Sequence, residues 1–334
     1  MGASVQVLGP RQVPLGGLRA MHVRRTLPAR ERSLVGGWCF VDHYGPDDVA
    51  ATGGMDVAPH PHCGLATVSW LFAGEIEHRD ALGTTARVRP GEVNLMTAGR
   101  GIAHSEVSTE ETTVLHGVQL WLALPEAMRH GEPRFQHAVI PALEVAPGVR
   151  ARVFVGELFG AASPVETGMP LLGAELVLEP GAGVELPVDG SFEVAVLVDT
   201  GAVSYADRSL SVGELGVVEA RGQVSDGDGD GDGTGDGHGE ASTRHTGLSL
   251  VAGEEGARVL VLGGPPFGEE IVMWWNFVGR SHEEVVAAQA SWNAHEPRFG
   301  YVHGYVPRDE DGSWWIPAPD LPGVRLRSRG NRGG

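Results

Sequence analysis

Lysine is absent from the 334-residue chain, so all 25 basic side chains are arginine. This removes Schiff-base and pyridoxal-phosphate chemistry, together with the phosphate-cradling lysine of a P-loop. Cysteine is nearly as scarce. Cys39 and Cys63 alone cannot build a disulfide framework or a four-thiolate zinc or iron–sulfur site. No apolar run approaches the roughly eighteen residues of a membrane span, which argues against an integral membrane protein. The opening MGASVQVLGP lacks the charged start and apolar run of a secretory signal, and Gln6 departs from the myristoylation pattern, so a cytoplasmic location is expected. A Gly-x-Ser-x-Gly nucleophile elbow does not occur. Positive charge is also lacking: a net charge of −18 speaks against direct, phosphate-driven nucleic-acid binding.

What the chain does contain is short β-type runs punctuated by Gly and Pro. Leu65 to Phe72, Thr84 to Val88, Glu92 to Met96 and Val114 to Leu124 predict an all-β first half, a sandwich or barrel. Ala174 to Leu178, Glu193 to Val198, Ala202 to Tyr205 and Gly216 to Glu219 predict a second β domain. Turn glycines and a later Gly-Glu-apolar turn recur in both halves, as in a degenerate internal duplication. The acidic Gly/Asp segment 225–240 is expected as a disordered insertion. An EF-hand template started at Asp226 or Asp228 puts Gly237 or Gly239 where the bidentate glutamate belongs. Ser281-His-Glu-Glu284 reads as a capping box that opens a short C-terminal helix running to about Ser291. Arginines 325, 327, 329 and 332 mark residues 323–334 as a flexible tail, or as a segment that docks on the acidic body.

The chemistry is carried by histidines at strand spacing. His60 and His62 lie two apart, so in an extended strand both imidazoles face one way, and His104 and Glu106 do the same with an imidazole and a carboxylate. Turns between the pairs predict a run of antiparallel hairpins whose closure brings the second pair across from the first. Three imidazole nitrogens and a carboxylate suit Fe(II), Mn(II), Ni(II), Cu(II) or Zn(II). An octahedral ion so held keeps positions open for substrate and dioxygen.

These residues resemble a known family. Gly54-x5-His60-x-His62 with Gly74 beyond is similar to the first cupin motif, and Gly101-x2-His104 to the second. Thr67 stands where the first motif carries glutamate and Gly99 replaces a proline of the second, while the acidic ligand comes as Glu106. This shift resembles the pirin family, as do Pro59-His-Pro-His-Cys-Gly-Leu, Gly74-Glu-Ile-Glu-His-Arg-Asp80, Met96 to Glu106, Trp38 to Pro46 and Pro266 to Val278. The resemblance implies two tandem cupin (jelly-roll-like) β-barrels. Residues 1–140 would form the metal-binding barrel, usually iron-loaded through His60, His62, His104 and Glu106. Residues 141–334 would form a degenerate one without metal. Histidines 238, 245, 282, 295 and 303 of the second half form no such pair.

Two functions follow as expectations from the resemblance. One is a quercetinase-type dioxygenase that takes a small aromatic or enol substrate and O2, with Glu106 also acting as base for the substrate hydroxyl. The other is an iron-containing redox regulator acting through a protein partner, which the acidic surface suits. A pocket open to the metal would favour the first, and a sealed centre the second. Among neighbours, Cys63 should point away from the metal as a buried thiol, and Glu77 to Asp80 should form an internal polar network. Arg100 is read as a fork on backbone carbonyls or a substrate anchor, and Trp274, Trp275 and Phe277 as packing.

Overall fold

The computed structural model describes residues 4–15, 21–221, 248–308 and 313–331. The insertion at 225–240 and Arg332 lie outside the described residues. The first half runs β1 (Val5–Leu8), β2 (Arg11–Leu15), β3 (Met21–Leu27), β4 (Trp38–Asp48), β5 (Asp56–His62), β6 (Leu65–Ala73), β7 (Ile76–Asp80), β8 (Thr85–Val88), β9 (Glu92–Thr97), β10 (Ile102–Ser108), β11 (Val114–Ala123) and β12 (Arg134–Val139). A seven-stranded antiparallel sheet in the order β12-β9-β6-β11-β4-β3-β2 closes over a four-stranded sheet β5-β10-β7-β8. Their inner faces meet through Val23, Tyr44, Leu71 and Leu115 on one side and Val57, Ile76 and Val88 on the other.

In the second half, β13 (Leu143–Ala146), β14 (Val149–Val155) and the strands Leu172–Leu178, Glu193–Tyr205, Leu215–Val218 and Ser249–Gly264 build one large antiparallel sheet. The runs expected at 193–198 and 202–205 are a single strand. Its register slips on either side of Thr200-Gly201, and Gly201 takes a φ of 72°, so the turn residues mark an irregularity in the ladder rather than a chain reversal. The helix His282–Asn293 begins as the capping box predicts, with Ser281 Oγ accepting the Glu284 N–H at 3.2 Å. The glutamate's half of the box differs: Glu284 Oε2 takes the N–H of Arg280. Among the described residues no helix is long and apolar enough to cross a membrane.

Both ends of the chain cross the division expected at 140/141. β1 pairs with Leu215–Val218 and so extends the second half's sheet. Residues beyond 270 turn back onto the four-stranded sheet of the first half, where Phe277, Trp292, Phe299 and Tyr305 bury Ala58, Cys63 and Ala103. The arginine-rich tail docks through residue 331 rather than fraying. Arg329 and Ile271 exchange backbone hydrogen bonds, Arg325 pairs with Glu283, and Asn331 Nδ2 donates to Leu34 O at 2.7 Å. Exposed acids and unpaired backbone acceptors give that tail partners, which its composition alone does not reveal.

The two large sheets pack against each other through an apolar layer including Trp70, Val118, Leu120 and Leu122 from the first and Phe154, Leu197, Val217, Leu260 and Leu262 from the second. At one edge of this layer, His43 Nε2 and His116 Nε2 lie 2.7 and 2.6 Å from the same Asp199 oxygen. Arg258 Nη1 donates to its other oxygen at 3.1 Å. Burial alone would raise the Asp199 pKa, but hydrogen bonds from His116 and His43 hold it well below the usual carboxylate range. Removing the carboxylate strands two buried imidazoles and takes one of its two acids from the partly exposed Arg258, which keeps Glu175. Asp199→Ala is therefore expected to cost about 3–5 kcal/mol of stability. The urea midpoint reads this, and an unchanged midpoint would remove the cluster from the forces holding the halves together.

Candidate metal centre

The sequence Pro59-His60-Pro61-His62 lies on β5, the edge strand of the four-stranded sheet. Proline lacks an N–H for the ladder and is tolerated at an edge, and it also biases the residue before it toward extended backbone. His60 and His62 are thereby fixed two apart on one inward face, 6% and 2% exposed. β10 pairs with β5 so that His104 lies opposite His60, and an irregularity between His104 and Glu106 sets Glu106 opposite Val57. The second pair is thus a direct strand neighbour of the first.

His62 Nε2 and His104 Nε2 are 3.0 Å apart, and the donor atoms of His60, His62 and His104 all lie within 4.8 Å of one another. Glu106 belongs to an overlapping group with His104 and His78, again within 4.8 Å. The arrangement brings all four expected residues to one buried place, with His104 common to both groups. Burial drives the His60 pKa down to about 4 and those of His62 and His104 well below 6.5, so the three imidazoles are neutral at neutral pH. Burial pushes the Glu106 carboxyl up, partly offset by His78 and Ser69. Ser69 Oγ donates to Glu106 Oε1 at 3.0 Å and sits 2.9 Å from the Gln119 amide, which can turn its N–H toward the hydroxyl.

His62 and His104 bring their Nε2 atoms to 3.0 Å, where two bare lone pairs would repel, and a divalent cation among the donors removes that repulsion. The donor set fits a first-row transition ion. A second buried group, His43, His116 and Asp199, also has donor atoms within 4.8 Å of one another. There, however, Arg24 and Arg258 already bring positive charge, and the histidines are satisfied by the carboxylate.

A cavity of about 310 Å³ reaches His60, His62 and Glu106, walled by Phe40, Trp121, Met55, Val57, Trp275 and Ile316, with Arg25 also on its lining. Trp275, Asn276 and Ile316 come from the second half of the sequence. Trp275 has a φ of 50°, left-handed backbone uncommon for a tryptophan. Sequence spacing carries no signal for a role of these three at the site. Arg100 does not line this cavity: it pairs with Glu132, and its carbonyl accepts from Arg298 Nε at 2.8 Å. Cys63 is buried against Ala58, Ala103 and Phe277, away from the donors, and its thiol is pushed up to about 11. Of the second half's described histidines, His295 packs at a tilt against Trp315, His303 meets Tyr301 edge-on, and His282 Nδ1 accepts the Leu326 N–H. His238 and His245 lie outside the described residues.

Fold and donor set together define a double-barrel cupin with a histidine–carboxylate cluster in the first barrel. The Pirin family profile matches residues 19–122, and that of the Pirin C-terminal cupin domain matches residues 238–300. A Pseudomonas aeruginosa protein named "Putative quercetin 2,3-dioxygenase" is 40% identical over 296 residues, 89% of this chain and 86% of its own length. A pirin-like protein of Caulobacter vibrioides is 34% identical over 94% of this chain and 99% of its own. The crystal structure of a quercetin 2,3-dioxygenase from Acinetobacter baumannii superposes with a TM-score of 0.83 at 33% identity, covering 97% of each chain. A nickel(II) complex of a bacterial pirin from Escherichia coli shares the fold at 15% identity, with a TM-score of 0.57 over 79% of this chain and 100% of its own. The chain belongs to the pirin family.

Two outcomes are expected. His104→Ala should lose most bound metal, measured by elemental analysis after reconstitution, whereas His295→Ala should retain it; equal content would dismiss the donor assignment. For chelator-treated protein, the unfolded chain titrates its histidines near 6.5 while the folded one resists protonation at His60 down to about 4. Stability should therefore be complete above pH 6.5 and decline as pH falls toward 4, by on the order of 3 kcal/mol for His60 alone. A thermal midpoint flat across that window would contradict the buried neutral imidazoles.

Proposed function

We propose that this protein is a metal-dependent dioxygenase that opens a flavonol or related enol with O2. Fe(II) is the resident ion, and Mn, Ni, Cu or Zn fit the same donors. His60, His62, His104 and Glu106 would hold the ion. When bound, such an ion supplies a Lewis-acid seat for adjacent substrate oxygens and an electron route to dioxygen.

The observation that carries this reading is the cavity that reaches the donors. Phe40 and Trp121 stack on each other in its wall with ring centroids 3.9 Å apart and planes within 9°, a rigid apolar block that suits an aromatic substrate. Arg25 lies 4.2 Å above the Phe40 ring and is held by Asp42 through two hydrogen bonds of 2.7 Å. It puts a positive edge on the lining without being free to collapse into the centre. Glu106, with its carboxyl raised by burial, is suited to take the proton of an enolic hydroxyl, and Ser69 keeps the accepting oxygen oriented. The apolar wall from Trp275, Ile316 and Val57 limits water at the point of proton transfer.

The test is oxygen uptake by anaerobically Fe(II)-reconstituted protein offered a small panel of flavonols and other enols. Substrate-dependent uptake that drops at least about a hundredfold in Glu106→Gln, in line with loss of a positioned base, supports the reading. Iron binding without uptake would overturn it in favour of a regulator that acts through a protein partner.

A further inference from the structure

His78 is the donor-bearing side chain nearest to the centre that the mechanism above does not use. It lies on β7, which pairs with β10 so that Asp80 sits opposite His104 and His78 opposite Glu106. His78 and Asp80 are two apart, share one strand face and are both buried, 3% and 1% exposed. Glu77 and Arg79, on the other face, pair with each other at 2.8 Å.

The contacts form a chain. His104 Nε2 faces His62 Nε2, while His104 Nδ1 lies 3.2 Å from His78 Nδ1. His78 Nε2 lies 3.2 Å from Asp80 Oδ2. Asp80 Oδ1 accepts the N–H groups of Leu82 at 2.9 Å and Thr84 at 3.0 Å, so the carboxylate is fixed by its own turn. The His78 ring is held flat against Phe135, with centroids 4.7 Å apart.

From these contacts we infer that Asp80 and His78 are positioning residues that set the tautomer of His104. An ionised carboxylate only accepts, so His78 carries its proton on Nε2. A neutral His78 then has a bare Nδ1, which also only accepts. The proton of His104 must therefore sit on Nδ1, which leaves the Nε2 lone pair aimed into the donor cluster. His60 reaches the same state by a different route, its Nδ1 lying 2.9 Å from the carbonyl of Ala58. The backbone of Asn276 lies near His62, but His62 Nδ1 makes no hydrogen bond of normal geometry. The polarity of the centre is thus written from two histidines away, by a carboxylate that touches no donor atom of the metal set. This inference rests on the metal-centre reading above and concerns metal affinity, not turnover.

Zn(II) binding by the full chain, measured in competition with a chromophoric chelator, tests it. Asp80→Asn keeps an oxygen for the turn but can present an N–H to His78, which reverses the chain and places the His104 proton on Nε2. It should weaken Zn(II) binding by about 10–100-fold while the apoprotein keeps its thermal midpoint. His78→Phe preserves the stack on Phe135 and removes the acceptor, so it should weaken binding similarly. His78→Gln, whose amide oxygen can accept, should bind more tightly than His78→Phe. A purely structural role would not produce that order. The 15N imidazole spectrum of wild type should show His104 protonated at Nδ1 with and without Zn(II). Wild-type affinity in all three variants, a His104 protonated at Nε2, or a His78 nitrogen bound to zinc would each overturn the inference. A wild type that binds no metal would instead remove the centre, and the spectrum of the apoprotein would still decide the tautomer.

Discussion

Placing three imidazoles and a carboxylate inside one closed barrel forces much of what surrounds them. Burial penalises every charged form, so the histidines are neutral and their lone pairs are available to a cation. A neutral imidazole still has a second nitrogen that needs an acceptor, and an unmatched buried donor costs about 1–3 kcal/mol. The Ala58 carbonyl beside His60 and the His78–Asp80 pair behind His104 answer that requirement for two of the three rings. Glu106 faces the opposite problem and takes a hydroxyl from Ser69.

The centre also needs a wall, and the first half does not provide all of it. β5 is an edge strand whose outer carbonyls would otherwise face water, and the N–H of Ile316 bonds to Pro59 O at 2.8 Å. The same segment presents Ile316 to the cavity. On the far side of the histidine strand, Gly64 takes a φ of 71°, and a Cβ there would lie 1.9 Å from Val278 O. Only glycine lets the segment that carries Trp275 and Asn276 approach this closely. Access and apolar lining are therefore joint products of residues more than 200 positions apart in the chain.

How much of this could be read in advance follows from the range of each interaction. Strand periodicity is local, so His60 with His62 and His104 with Glu106 declare themselves, as do the cap at Ser281 and the runs that became β6, β9 and β11. His78 and Asp80 were legible in principle: the alternation that separates them from Glu77 and Arg79 is the rule that picks out the donors. Ser69 and Gln119 each interrupt an apolar run, between Val68 and Trp70 and between Val118 and Leu120, which marks a polar side chain pointing into the interior. Trp275, Ile316 and Asp199 had no such trace, because their significance arises only when distant segments close. The same holds for β1, whose four residues carry no mark of the sheet they join.

The apolar layer between the barrels supplies attraction without direction, since hydrophobic burial scales with area and does not depend on register. Register comes from three buried acids of the second half, each answered from the first. Glu175 accepts from Trp70 Nε1 at 3.2 Å, Asp199 from His43 and His116, and Glu193 from Arg32 Nη1 at 2.9 Å and the Gly36 N–H at 2.6 Å. A slip of one residue along any strand would leave these acids buried without donors, a penalty far larger than that of the slightly poorer apolar packing. Strands β4 and β11, which carry His43 and His116, also carry Phe40 and Trp121 of the cavity wall. The second barrel, with no histidine pair of its own, thus contributes to the centre by holding the strands behind it in register.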